Sequence, residues 1–234
     1  MTTVLSACKD LCFRVGIPAP SAVMTSTNEL TLQILGIFVE AARDLAKAHK
    51  WESLQHEAEF TTVAGEEQAV MATIAPGFKE FIPRTFVNKT QGHLLVPINA
   101  EEAASQHIQP ATFMGRAYRV VRGKILMPGA VAGQLHRFEY RSDLFIMDAD
   151  GEEYSNLPAA DSDLVLLPDE CLILGMKWRW KKEKGLAYGE DKNDYLAEIE
   201  SERGSNGAER KNLSLNTQGA RRGTVGLGNL TIPG

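Results

Sequence analysis

The chain has 234 residues, a hydrophobic fraction of 44% and a formal net charge of −5. That length fits one or two domains, the acidity argues against a general nucleic-acid binder, and no apolar run approaches the ~20 residues of a membrane span. No basic segment leads into an apolar stretch at the start, so no signal peptide is expected, and Cys8, Cys12 and Cys171 read as reduced cytosolic thiols.

A helix is predicted over 4–15, because Val4, Leu5, Cys8, Leu11, Cys12 and Val15 follow helical spacing and Gly16 is placed to end it. Pro18 and Pro20 make the next stretch a loop. A second helix is expected to start at Ser26, with Glu29 completing a capping box. Its apolar face is Leu30, Ile34, Ile37, Phe38, Ala41 and Leu45, and it is expected to end near Lys50, with Arg43, Lys47 and Lys50 suited to a helix C-terminus. The two helices read as an antiparallel hairpin.

From Trp51 the period changes. Runs at 58–63, 69–74, 81–87, 93–98, 118–126, 135–140 and 144–147 are separated by turn residues such as Gly65, Pro76-Gly77, Gly92, Gly123, Pro128-Gly129 and Asp150-Gly151. That rhythm predicts an antiparallel β-sandwich or barrel-like domain, with a short helix over 101–107. Helical patterning returns at Asp161, with Pro168 at a plausible first helical position and Asp169 and Glu170 in the first turn. Leu172, Met176, Trp180, Tyr188, Tyr195 and Ile199 continue it, while Gly175, Gly185 and Gly189 argue against one unbroken helix. The expected fold class is therefore α+β: a discontinuous helical bundle domain (1–50 and 168–200) interrupted by an inserted β-domain (51–167), followed by an extended arm (201–234).

The arm holds seven glycines and is net +3, which leaves the rest of the chain at −8. It is too polar to bury a core alone. Leu213, Leu215, Val225, Leu227, Leu230 and Ile232 are candidate anchors on a partner, and Arg221 and Arg222 can pair with a partner's carboxylates.

The residues offer little for catalysis. His49, His56, His93, His107 and His136 show no metal-ligand spacing, so no metal or cofactor is expected. Asp148, Asp150, Gly151, Glu152 and Glu153 lack the full calcium-loop pattern and read as an Asp-Gly hairpin turn, whose two central positions need positive φ. The sharpest local feature is Lys177-Trp178-Arg179-Trp180, continued by Lys181, Lys182 and Lys184. It reads either as a solvated basic face over a core tryptophan or as a subunit interface or DNA-facing ring element, since Trp and Arg are favoured interface anchors. Trp180 is expected to be buried, with Lys181 and Lys182 largely exposed.

Ordered patches of the sequence resemble tailed-phage head-to-tail adaptor (connector) proteins. They are Leu166 to Trp180, then Lys184-Gly185-Leu186-Ala187-Tyr188, then an acidic helix with Asp191 and Tyr195. Upstream, Trp51-Glu52-Ser53-Leu54, Phe60 to Glu66, and Phe138-Glu139-Tyr140 with Ser142 fit the same family, so the resemblance spans most of 25–200. The domain plan is similar to the tail tubular protein A type. The resemblance implies a structural, non-enzymatic virion protein, made in the host cytoplasm and forming a ring, usually of twelve copies, in the neck between head and tail. The portal would lie above it, gripped by the C-terminal arm, and a tail or nozzle protein below. DNA would pass through an acidic lumen without sequence-specific binding, and no membrane is involved. A tail-associated hydrolase and a DNA-binding packaging or regulatory module are the alternatives. The missing catalytic constellation counts against the first and net acidity against the second.

Overall fold

Thr3 opens the first helix: its hydroxyl accepts the amide of Ser6 at 3.1 Å, satisfying one of the free N–H groups of the first turn. In the computed structural model, which describes residues 1–108 and 116–215, this helix (α1, Val4–Val15) ends at Gly16, as expected from its periodicity. The second helix (α2, Glu29–Ala48) starts later than expected. Asn28, not Ser26, is the cap, accepting Leu30 N at 2.9 Å, while the Ser26 hydroxyl accepts the amide of Asn28. Asn is as good a cap as Ser, so two candidates two residues apart left the start ambiguous.

The C-terminal region is two helices, α5 (Asp169–Glu183) and α6 (Gly189–Leu215). Between them Gly185 takes φ +66°, a conformation a side chain disfavours, and the chain reverses. Pro168 is the residue before α5 rather than its first residue. The expected pairing of α1 with α2 is secondary. α5 packs against α1, α2 and α6, and is the central helix of the bundle.

The helical core reaches further into the sequence than the 1–50 and 168–200 boundaries expected. Trp51 and Leu54 belong to it, as do Phe145, Ile146, Val165, Leu166 and Leu167. Trp51 is sealed in by its indole N–H, which donates to Leu45 O at 2.7 Å. The stretch at 161–167 is not helical. Asp161 accepts the amides of Val23 and Met24, and the chain then enters a small antiparallel sheet of β1 (Thr2–Thr3), β13 (Leu164–Val165), β11 (Ile146–Met147) and β12 (Tyr154–Ser155). This sheet caps the bundle, so the separate β region is nearer 55–143 than 51–167. The short strands read as β in sequence, but their apolar residues pack on helices, and periodicity does not say which core a strand serves.

Between α2 and β11 lie two sheets. The first orders β2 (Gln55–Thr61), β10 (Leu135–Ser142), β5 (Val87–Asn88) and β6 (His93–Leu94), with β4 (Phe78–Phe81) also on β10. The second orders β3 (Glu67–Val70), β9 (Lys124–Leu126), β8 (Ala117–Val121) and β7 (Val96–Pro97), the last pairing parallel. Ala58, Phe60, Phe138 and Tyr140 from the first meet Tyr118, Ile125 and Met127 in one core. Helices and mainly antiparallel sheets make the chain mixed α+β, with no closed barrel among them. The expected run at 69–74 is half strand, since Met71–Ile74 forms a single helical turn (α3). The short helix expected near 101–107 is α4 (Ala100–Ile108), capped by a reciprocal Asn99–Glu102 pair at 2.8 Å in both directions. At Asp150-Gly151 only Gly151 takes positive φ, so the turn is not the two-residue type. It is a longer loop in which Asp148 Oδ1 accepts the amides of Glu152 and Glu153.

The two cores are joined by an ion triad. Lys50, just past α2, meets Glu80 of β4 at 2.9 Å, and Arg141 of β10 pairs with the same carboxylate. Lys50 first, then Arg141, hold Glu80 below the usual carboxylate range despite some desolvation.

The expected extended arm is corrected in part. α6 runs on through Leu215, so residues 204–215 are helical, not extended. Ala208-Glu209-Arg210-Lys211 are strong helix formers, and they offset Gly204 and Gly207 when the helix is already nucleated upstream. Leu213 and Leu215 lie in the last turn of this helix, while Arg221, Arg222, Val225, Leu227, Leu230 and Ile232 lie outside the described residues.

Candidate functional site

The tryptophan- and lysine-rich stretch of α5 brings charged and aromatic side chains of three helices together. Helical geometry splits it between two neighbours. Arg179 and Trp180 face α2, while Lys177 and Lys181 face α6.

Arg179 is buried. Its guanidinium donates to Gly175 O at 2.9 Å and to Glu40 at 3.3 Å, and pairs with Asp44. Glu40 and Asp44 are four apart on α2, so both carboxylates meet one cation at the mouth of the core, where the arginine is covered and the acids stay wet. The guanidinium also stacks on Trp178, 4.3 Å from the ring centroid, and lies 5.9 Å from that of Tyr195. Gly175 makes room for this layer. A Cβ there would come within 3.1 Å of the Tyr195 ring.

On the other side Asp191 of α6 receives Lys177 at 2.7 Å and Lys181 at 2.5 Å. Desolvation pushes the Asp191 carboxyl up, but the two lysine hydrogen bonds outweigh it and hold its pKa below the ordinary value. Lys181 is therefore half-buried, not largely exposed as expected, whereas Lys182 is exposed. Lys184 does not join Lys177 and Lys181 on the face toward α6. It lies beyond the end of α5, 4.5 Å over the Trp180 ring and hydrogen-bonded to Gln33 of α2. Trp180 is buried, and Trp178 is half-buried with its indole N–H lacking a partner. All four flagged residues, Lys177, Trp178, Arg179 and Trp180, are thus engaged within the chain.

The partners Glu40, Asp44 and Asp191 were not singled out as ion-pair acceptors from sequence. The four-residue spacing of Glu40 and Asp44 on the exposed face of an amphipathic helix is the signal that could have found them.

Elsewhere the chemistry is quiet. Cys8, Cys12 and Cys171 are free and buried, and burial pushes the thiols of Cys8 and Cys171 up to about 12, far from a reactive thiolate. Among the described residues no three His, Cys, Asp or Glu side chains gather where they could hold a metal ion. Nor is any helix among them long and apolar enough to cross a membrane. The arrangement on α5 ties α2, α5 and α6 together. No protein-family model and no curated protein matches the chain.

Proposed function

We propose that the protein is a head-to-tail adaptor of a tailed phage. In this reading it is a structural, non-enzymatic component that forms a ring of copies at the virion neck between portal and tail and lets DNA pass. A helical domain carries an inserted β-sandwich domain, and the C-terminal segment engages the portal.

The observation that carries the reading is the length of α6. Among the side chains described, which end at Gly204, the last of α6 in the core is Ile199, and the helix continues to Leu215, roughly 24 Å further at 1.5 Å per residue. The sequence after Ile199 is polar and glycine-bearing, with little helix stability of its own, and a helix continued this far suits a lever presented to a partner. Leu213 and Leu215 sit near its tip, and Arg221, Arg222, Val225, Leu227, Leu230 and Ile232 follow in the sequence. Two further facts support it. The sequence patches that resemble adaptor proteins fall on the structural keystones, namely α5 with its Arg179 and Asp191 pairs and the Trp51–Leu54 turn. The helices that precede and follow the β region in sequence share one core, which supports the reading.

The test is assembly with the portal protein encoded alongside it, followed by electron microscopy. The full chain is expected to form a ring on the portal. A chain truncated after Arg203 keeps every described core residue of the bundle and is expected to fold, stay soluble and fail to dock. Docking of the truncated chain with unchanged affinity removes the arm from the mechanism, and a full chain that never joins a portal removes the adaptor reading.

A further inference from the structure

α2 and α6 pack on different faces of α5, and each leaves a row of unpaired like charges on its outer side, cations on α2, where the exposed Glu40 on the same side is already paired with Arg179, and acids on α6. On α2, Arg43 and Lys47 are exposed, one helical turn apart, on the side opposite Phe38, Ala42 and Leu45 of the core. Together with Lys79 they border a cleft of about 290 Å³ at the junction with the β region, whose remaining lining is Ala46, Asp143, Phe145 and Asn156. Arg43, Lys47 and Lys79 make no ion pair among the described residues, although nearby Lys50 and Arg141 share Glu80. On α6, Glu190 and Asp194 are exposed and Glu198 half-exposed along one flank, while Asp191, Tyr195 and Ile199 point inward. These three acids also form no ion pair among the described residues.

We infer that these two faces are partners in different copies: the Glu190–Asp194 flank of α6 in one molecule docks along the Arg43–Lys47 face of α2 and the Lys79 cleft in the next. The inference rests on the ring reading above and names the contact that would build the ring. Three observations carry it. The charges are complementary, and a cationic cleft is unusual on a body whose net charge outside the arm is −8. The spacing matches: both rows step by four residues, about 6 Å along a helix, so two cations can meet two carboxylates in register. The placement matches too. A patch and its complement on different sides of the same bundle suit a heterologous, head-to-tail contact, which closes into a ring when the rotation permits. Gly36 and the exposed Leu32 lie on the same outer side of α2, where a neighbouring helix can approach closely.

Charge reversal with a mixing arm tests it, using the full-length protein and sedimentation velocity over a concentration series at low and moderate salt. Arg43→Glu with Lys47→Glu is expected to weaken self-association about tenfold or more, as is Glu190→Lys with Asp194→Lys. Each variant is monitored by circular dichroism to show that it is folded. Mixing the two variants is expected to restore assembly, because acidic α2 faces then meet basic α6 flanks and the untouched faces meet each other. The four-fold variant, with both faces reversed, is expected to assemble by itself. Reversed variants that associate like the unmodified chain overturn the inference, as does a mixture that stays dissociated or an unmodified chain that remains monomeric throughout. Loss of duplex-DNA binding in the α2 variant without any change in self-association likewise overturns it, and assigns the cations to DNA. Portal binding is scored in parallel. If self-association follows the charge pattern but no portal is bound, only the adaptor reading falls; if rings form on the portal regardless of the reversals, only this contact falls.

Discussion

Lys177 of α5 reaches Asp191 of α6 at 2.7 Å across the corner where the chain reverses, and the side chain it meets is only 7% exposed. Lys181 adds a second bond from one turn further along α5. The pairing ties the first turn of α6 to α5 and fixes the angle at which α6 leaves the corner.

Replacing Asp191 with Asn should therefore cost about 2 kcal/mol at neutral pH, since two charge-assisted hydrogen bonds are lost while the lysines can still reach water. The pH dependence follows from the depressed Asp191 pKa. The stabilisation is complete above the unfolded carboxyl's pKa and fades as pH falls through the folded one. Denaturant melts of both proteins should show a gap that is constant near neutrality and narrows only in the acid range. A gap that is the same at every pH would count against the ion pair as its source.

Trp180 is the second lock. It is buried beneath α2, and Lys184 closes over its ring. Trp180→Ala should cost about 3–5 kcal/mol, and Trp180→Phe less, because much of the ring volume is kept. Thermal melts decide this, and an unchanged midpoint for the alanine variant would place the side chain outside the energetic core.

The helices were legible because their signals are local. The 3.6-residue pattern of Val4 to Val15 and of Leu30 to Leu45 reports a one-sided core. The ends of these elements were less so, because Ser26 and Asn28 compete for one cap and Gly204 and Gly207 mimic a helix stop. Allegiance to a core was not legible at all. Ile146 and Val165 look like any strand residues, and only the tertiary fold pairs them with each other and with the helical bundle. For the site, the Lys177–Trp180 stretch stood out by composition, but its division between Asp44 on α2 and Asp191 on α6 depends on helix packing, which one helix's sequence does not encode.

Gly77 holds the seam between the two cores. It has φ +64°, its carbonyl accepts the amide of Asp143 at 2.9 Å, and a Cβ would lie 2.4 Å from Leu144 Cγ and 2.5 Å from Ser142 Oγ. Gly77→Ala combines left-handed strain with a clash against the chain just before Phe145, and should cost more than about 2 kcal/mol. Gly185→Ala is the control, because its φ is similar at +66° but nothing lies within 4 Å of the new methyl, leaving only the backbone cost of about 1 kcal/mol. Equal losses for the two variants would show that the close approach at Gly77 is energetically empty.

His136 should make the β region sensitive to mild acid. It is 1% exposed and stacked on Phe60. Its Nδ1–H donates to Gln134 O at 3.2 Å, which leaves Nε2 buried without a partner. Protonating Nε2 would place an unpaired N–H and a charge in that core. Desolvation is the main cause that lowers the His136 pKa, with nearby His93 lowering it further and the Gln134 carbonyl opposing. Burial lowers those of His56 and His93 too. A depressed folded pKa means that stability is complete above the unfolded value of about 6.5 and is lost as pH drops below it. His136→Phe keeps the stack, and Gln134 O still accepts from the Thr62 amide at 2.9 Å and its hydroxyl at 3.1 Å, so no carbonyl is orphaned. The variant should match the unmodified protein near pH 8 within about 1 kcal/mol and lose less stability between about pH 6.5 and 5. Denaturant melts across that window measure it, and an identical slope for the two proteins would mean that His136 does not titrate with unfolding.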